Sequence, residues 1–216
     1  MMNPFRKFFR DKRWHSKRMD KTSQSHRLTV QQSQLVVIDV QERLLPMIQD
    51  QQSVSASIRF LMDAAAILAV SAIVTEQYPR GLGSTVELLR NHPVTIKTLE
   101  KLRFSAAEAL ATDAWAPDAS ATQRLGGNPQ QIVLAGIETH VCVQQTALEL
   151  CEKGLQVVVA ADCVGSRFAD DHQWGLHRMA NAGVVITTAE AIAFEWCERA
   201  GHDRFKVFSR LVRDRR

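Results

Sequence analysis

From residue 35 onward, short apolar runs alternate with amphipathic stretches along the chain. Between the runs, apolar residues recur at a spacing of about 3.6, which is typical of helices that bury one face, as over residues 54–69. Because strands and helices alternate, the pattern predicts an α/β fold, a three-layer αβα sandwich around a six-stranded parallel sheet. The six runs are rich in Val and Ile, as buried parallel strands are, and cover residues 35–39, 72–75, 94–96, 132–137, 157–161 and 184–188.

Two further helices are predicted, over residues 141–153 and from about 170 to 182. Gly154 and Gly183 follow them, as expected of residues that end a helix. The side chains expected to cap their first turns are Thr139 and either Asp170 or Asp171. Residues 106–131 contain two prolines and two glycines, which favours short helices and loops.

The charge is distributed unevenly along the chain. Residues 1–28 carry nine basic and two acidic side chains, a net charge of +7, whereas the whole chain carries +4 and the rest therefore −3. We expect residues 1–28 to be a basic, disordered N-terminal arm and residues 29–216 to be one folded domain. Because the excess charge lies in the arm, and no zinc-finger spacing or aromatic RNA-binding strand accompanies it, we expect no nucleic-acid partner.

Two interpretations of the arm stay open. A solvated tail is the usual state of a terminal charge run. Phe5, Phe8 and Phe9 nevertheless fall at helical spacing among basic residues, as in a membrane-surface or targeting segment. Met19 is also an alternative start of translation.

Composition narrows the class of protein. The hydrophobic fraction is 45% and the charged fraction 23%, close to the average for globular domains. No apolar run approaches the roughly 18 residues that cross a bilayer, so we expect no stable membrane insertion. The four cysteines show no CxxC spacing, which indicates neither a disulfide framework nor a zinc ribbon and predicts a cytoplasmic protein.

Candidate catalytic residues stand at predicted strand ends, where ligands bind in open parallel sheets. Asp39 ends the first strand, Lys101 follows the third, and Cys142 begins the helix after the fourth. Cys142 is a candidate nucleophile for acyl transfer, with Asp39 as general base and acid. Lys101 and the helix N-terminus are expected to lower the pKa of the thiol. Singly, each residue also fits a structural role: a backbone-bonded carboxylate, a solvated cation and an inert small hydrophobe.

Other residues near the strand ends receive secondary roles. The turn that begins at Gly136 is able to direct backbone N–H groups at a developing oxyanion. His140 is expected to point away from Cys142, because it lies two positions before it on a helical path. The remaining thiols, Cys151, Cys163 and Cys197, are expected to be structural. The candidate walls of a substrate pocket are Gln41, Leu45, Tyr78 and Phe104.

Four ordered motifs resemble the isochorismatase-like cysteine hydrolase superfamily, and most closely its isochorismatase-domain-containing branch. The resemblance runs from about residue 34 to 206 and implies the sheet order 3-2-1-4-5-6. It also implies a triad of Asp39, Lys101 and Cys142, and an oxyanion hole of the Glu138 and Cys142 backbone amides beside a cis peptide at Ile137–Glu138. The motifs are Asp39-Val40-Gln41, Thr75-Glu76-Gln77-Tyr78-Pro79, Glu100-Lys101 with Phe104-Ser105, and Gly136-Ile137-Glu138-Thr139-His140-Val141-Cys142-Val143.

Two departures from superfamily patterns shape the expected activity. Nicotinamidases carry a histidine-containing metal cluster after the second strand, but residues 76–83 contain no histidine, so we expect no metal and no cofactor. True isochorismatases lack the nucleophilic cysteine that is present here as Cys142. We therefore expect a metal-independent hydrolase that cleaves the C–N bond of a small amide or related carbonyl substrate.

Three alternatives remain: a non-hydrolytic enzyme on the same scaffold, a catalytically silent oligomeric binding protein, and a nucleotide binder. The nucleotide binder is the weakest, because no glycine-rich phosphate motif follows residues 35–39.

The C-terminal stretch predicts assembly. In a monomer, little surface remains for its apolar residues to pack against. The superfamily also commonly forms symmetric oligomers, so we expect a homo-oligomer. The alternative is that these residues fold back onto the outer helices. They are Phe194, Trp196, Phe205, Val207, Phe208, Leu211 and Val212.

Overall fold

A computed structural model describes residues 27–115 and 128–215. Its six strands form one parallel sheet in the order β3-β2-β1-β4-β5-β6. The expected fold class and the order implied by the family resemblance are therefore confirmed. The strands are β1 (Ser33–Ile38), β2 (Ala72–Gln77), β3 (Thr95–Lys101), β4 (Gln131–Ile137), β5 (Gln156–Gly165) and β6 (Val185–Thr187).

Seven α-helices lie in the described part of the chain, together with one 3-10 helix and two π-helices. Within these described ranges, none is both long and apolar enough to cross a membrane. The α-helices are α1 (Gln51–Leu68), α2 (Pro79–Leu82), α3 (Ala107–Ala109), α4 (Gln144–Glu152), α5 (Ala169–Asn181), α6 (Ala189–Cys197) and α7 (Phe205–Asp214). The others are the 3-10 helix Leu45–Met47 and the π-helices Leu110–Ala114 and Thr139–Val143.

The central strands separate two hydrophobic cores. Successive side chains of β1 point to opposite faces, so Leu35 and Val37 enter one core, and Val36 and Ile38 enter the other. Helices α1, α6 and α7 cover the first core, and α3, α4 and α5 cover the second. This arrangement explains why β1 is apolar at every one of these positions instead of alternating with polar residues.

Two strands extend beyond their predicted ends. β3 was expected over residues 94–96 and runs to Lys101, and β5 was expected over 157–161 and runs to Gly165. The continuation of β3 lacks an apolar run because the strand lies at the sheet edge: Thr98 and Glu100 are exposed, whereas Leu99 and Lys101 are buried. β5 resumes its pairing with β4 after an irregularity near Gly136, so its last part lacks a regular apolar pattern.

Both predicted helix caps are wrong. Phe168 precedes α5, and Asp170 and Asp171 lie inside its first turn, where carboxylates favour the positive end of the helix dipole. Thr139 is not an N-cap but the first residue of a π-helix that precedes α4. Of residues 106–131, the first ten contain α3 and a π-helix, residues 128–130 lead into β4, and residues 116–127 lie outside the described residues.

Gly136 brings β4 very close to β1. Its φ is +120°, and a Cβ atom built at this position would lie 2.1 Å from the carbonyl oxygen of Ile38. Any side chain here would therefore meet the backbone immediately before Asp39. The glycine allows the end of β4 to deliver the following turn directly beside the end of β1.

The C-terminal apolar residues mostly fold back onto the body. Phe208 is fully buried, Trp196 nearly so, and both join the core that α1 covers. The rings of Phe194 and Phe208 meet edge to face, with centroids 5.0 Å apart. The alternative of a docked terminal helix therefore accounts for most of the set, and the exposed residues Phe194 and Val207 remain.

The N-terminal arm, apart from its last two residues, lies outside the described residues. Leu28 is buried in the core, and its N–H donates to the Glu195 carboxylate over 2.6 Å. The folded body therefore includes residue 28.

Candidate active site

Asp39 follows β1 and is completely buried. Its φ is +53°, a left-handed conformation that turns the chain sharply at the strand end and that Asp tolerates better than most residues. Its N–H donates to the carbonyl of Thr75 over 3.1 Å, and the Thr75 hydroxyl donates to Oδ1 over 2.7 Å. Thr75 of β2 therefore holds both the backbone and the carboxylate of Asp39.

Lys101 reaches the same carboxylate from the end of β3, across the end of β2. Its Nζ donates to Asp39 Oδ2 over 2.6 Å and to Gln77 Oε1 over 2.8 Å. It also donates to the carbonyl of Phe104 over 2.9 Å. A buried ammonium is stable only when paired and hydrogen-bonded. These acceptors hold Lys101 as the fixed counter-ion of Asp39.

Cys142 lies in the π-helix Thr139–Val143, directly after β4. Its side chain is buried, and the charges of Asp39 and Lys101 and the backbone of Glu138 all act on its sulfur. The sheet order places β4 beside β1, which explains this meeting. The three residues predicted from strand ends, Asp39, Lys101 and Cys142, therefore form one contiguous group.

The thiol has the opposite pKa shift from the one expected. Burial raises the pKa of Cys142 to about 12, and the negative charge of Asp39 adds to the increase. Lys101 and the Glu138 backbone act to lower it, but the first two effects are larger. At neutral pH Cys142 is therefore a neutral thiol in contact with a carboxylate, not a preformed thiolate.

Residues 138–142, hereafter the 138–142 turn, have the backbone that the family resemblance implied. The Ile137–Glu138 peptide bond is cis. The Glu138 carbonyl accepts the N–H groups of Val141 and Val143, over 3.1 and 3.2 Å. Thr146 accepts the N–H of Ala106 and donates its hydroxyl to the Cys142 carbonyl, so it ties the start of α4 to α3.

Only two of the four candidate pocket residues are exposed. Tyr78 and Phe104 have exposed fractions of 51% and 53%. Tyr78 follows β2, and Phe104 follows β3, the strand that ends at Lys101. Gln41 is buried, with its amide bonded to the carbonyls of Gln77 and Gly83. Leu45 is buried in the core that α1 covers. The structure therefore fixes the Gln41 amide against two backbone carbonyls, and a pocket role for Gln41 and Leu45 stays a prediction.

His140 points away from the thiol, as predicted, and bonds to Ser166 instead. Sequence reasoning missed the supporting roles of Thr75 and Gln77. Both positions lie in a quoted motif and are two residues apart, so they face the same side of β2. That spacing was the signal that could have linked them to Asp39 and Lys101.

The cysteines of the chain are all free thiols, and Cys163 and Cys197 are buried. Across residues 27–115 and 128–215, no cluster of three or more His, Cys, Asp or Glu residues is arranged to hold a metal ion. The absence of a metal from the reaction stays a prediction.

A doubly wound α/β sheet with a carboxylate, an ammonium and a thiol at one carboxyl edge defines the class of site, and comparisons identify the family. Residues 33–191 match the family model described as the isochorismatase domain. Isochorismatase domain-containing protein 2 of Danio rerio is 34% identical over 186 residues, which cover 86% of this chain and 89% of that protein. The chain belongs to the isochorismatase family, whose members are generally hydrolases.

Two further relatives extend the comparison. Isochorismatase domain-containing protein 1 of Salmo salar is 34% identical over 175 residues. The match covers 81% of this chain but only 59% of that longer protein. The solved structure of the MAR1 ribonuclease from Caenorhabditis elegans is 35% identical and superposes with a TM-score of 0.75, over 86% of this chain and 92% of that one.

Proposed function

We propose that this protein is a metal-independent hydrolase that cleaves the C–N bond of a small amide, or a related carbonyl substrate, with Cys142 as nucleophile. The single observation that carries the proposal is the position of the buried Cys142 thiol beside the Asp39 carboxylate, whose charge acts on it. Lys101 Nζ donates to Oδ2 of that carboxylate over 2.6 Å. A thiol, a base in contact with it and a third group that orients the base form the usual design of an activated nucleophile.

Acylation begins with proton transfer. Asp39 accepts the thiol proton while the sulfur attacks the carbonyl carbon, so that the C–S bond forms as negative charge develops on the carbonyl oxygen. Asp39 then returns the proton to the nitrogen, the C–N bond breaks, and an amine or ammonia leaves. The acyl group remains on Cys142 as a thioester.

Deacylation repeats the same steps with water. Asp39 removes a proton from water, the resulting hydroxide attacks the thioester carbonyl, and the C–S bond breaks. The proton passes back to the sulfur, which releases a carboxylic acid and restores the thiol. Because one carboxylate serves in both directions, the cycle needs no other base.

The backbone N–H groups of Glu138 and Cys142 are the proposed oxyanion hole. The backbone of Glu138 already interacts with the Cys142 sulfur in the resting protein, which supports its position near the reacting carbonyl. Backbone donors fixed in a buried site stabilise a developing oxyanion because they need no reorganisation during the reaction. Tyr78 and Phe104 are the proposed walls for the substrate, since both are exposed.

An RNA substrate is a second candidate, because the similar protein from Caenorhabditis elegans is a ribonuclease. The charges at the site favour an amide instead. Lys101 donates to Asp39 and to neighbouring acceptors, and the exposed guanidinium groups of Arg103 and Arg167 lie against Glu108 and Glu138. Phosphate recognition uses basic groups that face the ligand.

The test is ammonia release from a panel of small primary amides, with a short RNA as a further substrate and EDTA in parallel samples. Wild-type protein should hydrolyse at least one amide, with or without EDTA, and Cys142→Ala should lose turnover while keeping its fold. Cys151→Ala is the matched control, because Cys151 is a half-buried free thiol on α4 outside the site.

Equal activity of wild type and Cys142→Ala would refute the role of Cys142 as nucleophile. RNA cleavage without amide hydrolysis would favour the ribonuclease alternative. Binding of amides without turnover would favour a silent binding protein.

A further inference from the structure

Three consecutive side chains of the 138–142 turn bond to one neighbouring segment. That segment runs from the end of β5 into α5 and is defined here as the 166–172 corner. The bonds join Glu138 to Arg167, Thr139 to His172, and His140 to Ser166. No residue of this corner belongs to the proposed catalytic group, so the mechanism leaves these contacts unexplained.

Each contact has hydrogen-bond geometry. Arg167 donates its backbone N–H and its Nε to the Glu138 carboxylate over 3.1 and 3.2 Å. Thr139 Oγ1 and His172 Nδ1 are 2.9 Å apart. His140 and Ser166 are joined through Nδ1 and Oγ over 3.0 Å.

Because Thr139 is buried, loss of its hydrogen bond should cost more free energy than loss of either of the other two. Thr139 is fully buried, so its hydroxyl has no access to water in place of the imidazole. A buried hydroxyl that loses its partner carries a desolvation penalty. Burial also lowers the pKa of His172, so its ring is neutral at pH 7 and keeps one nitrogen as an acceptor.

Gly175 provides an independent sign that α5 and the turn are fitted to each other. A Cβ atom at Gly175 would lie 3.1 to 3.3 Å from backbone and Cβ atoms of His140, closer than ordinary van der Waals contact. Glycine inside a helix destabilises it by roughly 1 kcal/mol relative to alanine. The close packing against His140 explains why glycine stands at this position despite its cost to the helix.

We propose that the 166–172 corner positions the 138–142 turn for catalysis, with His172 acting through Thr139 as the principal positioning residue. The inference rests on the proposed function, because it assigns the corner to the oxyanion donors of that mechanism. Thr139 lies directly between Glu138, one donor, and the helical segment that carries Cys142, the other. Its bond to His172 fixes the direction of both N–H groups.

The experiment compares two pairs of variants that differ in the hydrogen bond alone. Thr139→Val and His172→Leu remove the bond, whereas Thr139→Ser and His172→Asn keep a polar group at the same place. The reagent is 4-nitrophenyl acetate, which transfers its acetyl group to the Cys142 sulfur as the C–O bond breaks and 4-nitrophenolate leaves. Iodoacetamide is the control, because alkylation of the same sulfur forms no oxyanion.

Removal of the bond should slow acetylation of Cys142 by roughly tenfold, as expected for misplaced oxyanion donors, and leave alkylation within about twofold of wild type. The two conservative variants should recover most of the acetylation rate. Thr139→Val combined with His172→Leu should be no slower than either alone, because both break one contact. Amide hydrogen exchange of residues 137–143 should accelerate in the same variants.

Unchanged acetylation and exchange in Thr139→Val and His172→Leu would overturn the positioning role and leave the proposed function standing. Equal slowing of acetylation and alkylation would also overturn it, since that indicates a general loss of structure. If wild type is alkylated but never acetylated at Cys142, the proposed function fails. In that case no catalytic donor remains to be positioned, and the positioning role fails with it.

Discussion

At Cys142, the neutral state of the thiol determines how the site can react. A pKa of about 12 leaves almost no thiolate at neutral pH. In the proposed mechanism, the nucleophile therefore forms only as the proton moves from Cys142 to Asp39, during the attack itself. It follows that the rate depends on the contact between thiol and carboxylate more than on a resident thiolate population.

Asp39→Asn should separate the pKa of the Cys142 thiol from the rate of turnover. The amide removes the negative charge that raises the thiol pKa, so the pH midpoint of Cys142 alkylation should fall below about 12. Turnover should nevertheless fall by roughly 100-fold or more, because the amide accepts no proton from the thiol. The measurements are the alkylation rate against pH, by mass spectrometry of the Cys142 peptide, and amide hydrolysis.

Alkylation of Cys151 in the same samples serves as the internal reference, because no contact joins this thiol to Asp39 among the described residues. An unshifted Cys142 midpoint, or near-normal turnover, would exclude Asp39 as the base.

The residues of the candidate site were predictable from sequence, but the ionisation of the thiol was not. Asp39, Lys101 and Cys142 each stand at a strand end, and parallel strands bring such ends to one edge. The pKa of Cys142 depends instead on burial and on its contact with Asp39, and neither is visible in the spacing of residues. The burial of Gln41 could not be predicted either, because it also depends on tertiary contacts that the spacing of residues does not show.

At the scale of secondary-structure elements, the register between β1 and β4 places Cys142, the proposed nucleophile, beside Asp39, the proposed base. Ile38 pairs with Gly136, so Asp39 and the 138–142 turn leave the sheet at the same level. The positive φ of Gly136 and its approach to Ile38 allow this pairing.

Gly136→Ala should therefore destabilise the protein by about 3 kcal/mol or more, since the methyl group meets backbone in a conformation disfavoured for L-residues. Gly154→Ala is the matched control, because its φ is also positive, at +84°, but open space surrounds the site. Only the strain of the left-handed backbone, about 1–2 kcal/mol, is expected there. Denaturant unfolding measures both, and equal losses would refute the close-packing argument.

Element types were easier to predict than element ends. Six strands were visible as apolar runs because both faces of the sheet are buried. The end of β3 was missed because an edge strand keeps its backbone pairing after its side chains become polar. The π-helix Thr139–Val143 was missed because no propensity distinguishes it from the first turn of α4.

At the scale of the whole molecule, assembly stays a prediction that now depends on fewer residues. Trp196 and Phe208 are buried within the chain, but Val207 on α7 has an exposed fraction of 55%. Phe194 on α6 is exposed as well, and its ring contacts Phe208. Phe205, Leu211 and Val212 are partly buried, so Phe194 and Val207 are the large apolar side chains of this described region that remain exposed.

Light scattering should report a mass of at least twice 24.3 kDa for the wild-type chain. Val207→Glu should lower that mass, because a charge in an apolar interface is costly to desolvate. Val207→Thr, which has a similar volume and no charge, should have a smaller effect. A wild-type monomer at micromolar concentration would refute assembly, and an unchanged mass in Val207→Glu would exclude this face.

The central claim, a covalent acyl-enzyme on Cys142, is tested most directly by trapping the intermediate. A hydrolysed amide is mixed with the protein, the reaction is quenched in acid within its first turnovers, and the peptides are mapped by mass spectrometry. The account predicts an acyl adduct on Cys142 that hydroxylamine removes, as expected of a thioester, and no adduct in Cys142→Ala. Amide turnover with no adduct on Cys142, or an adduct on another residue, would contradict it.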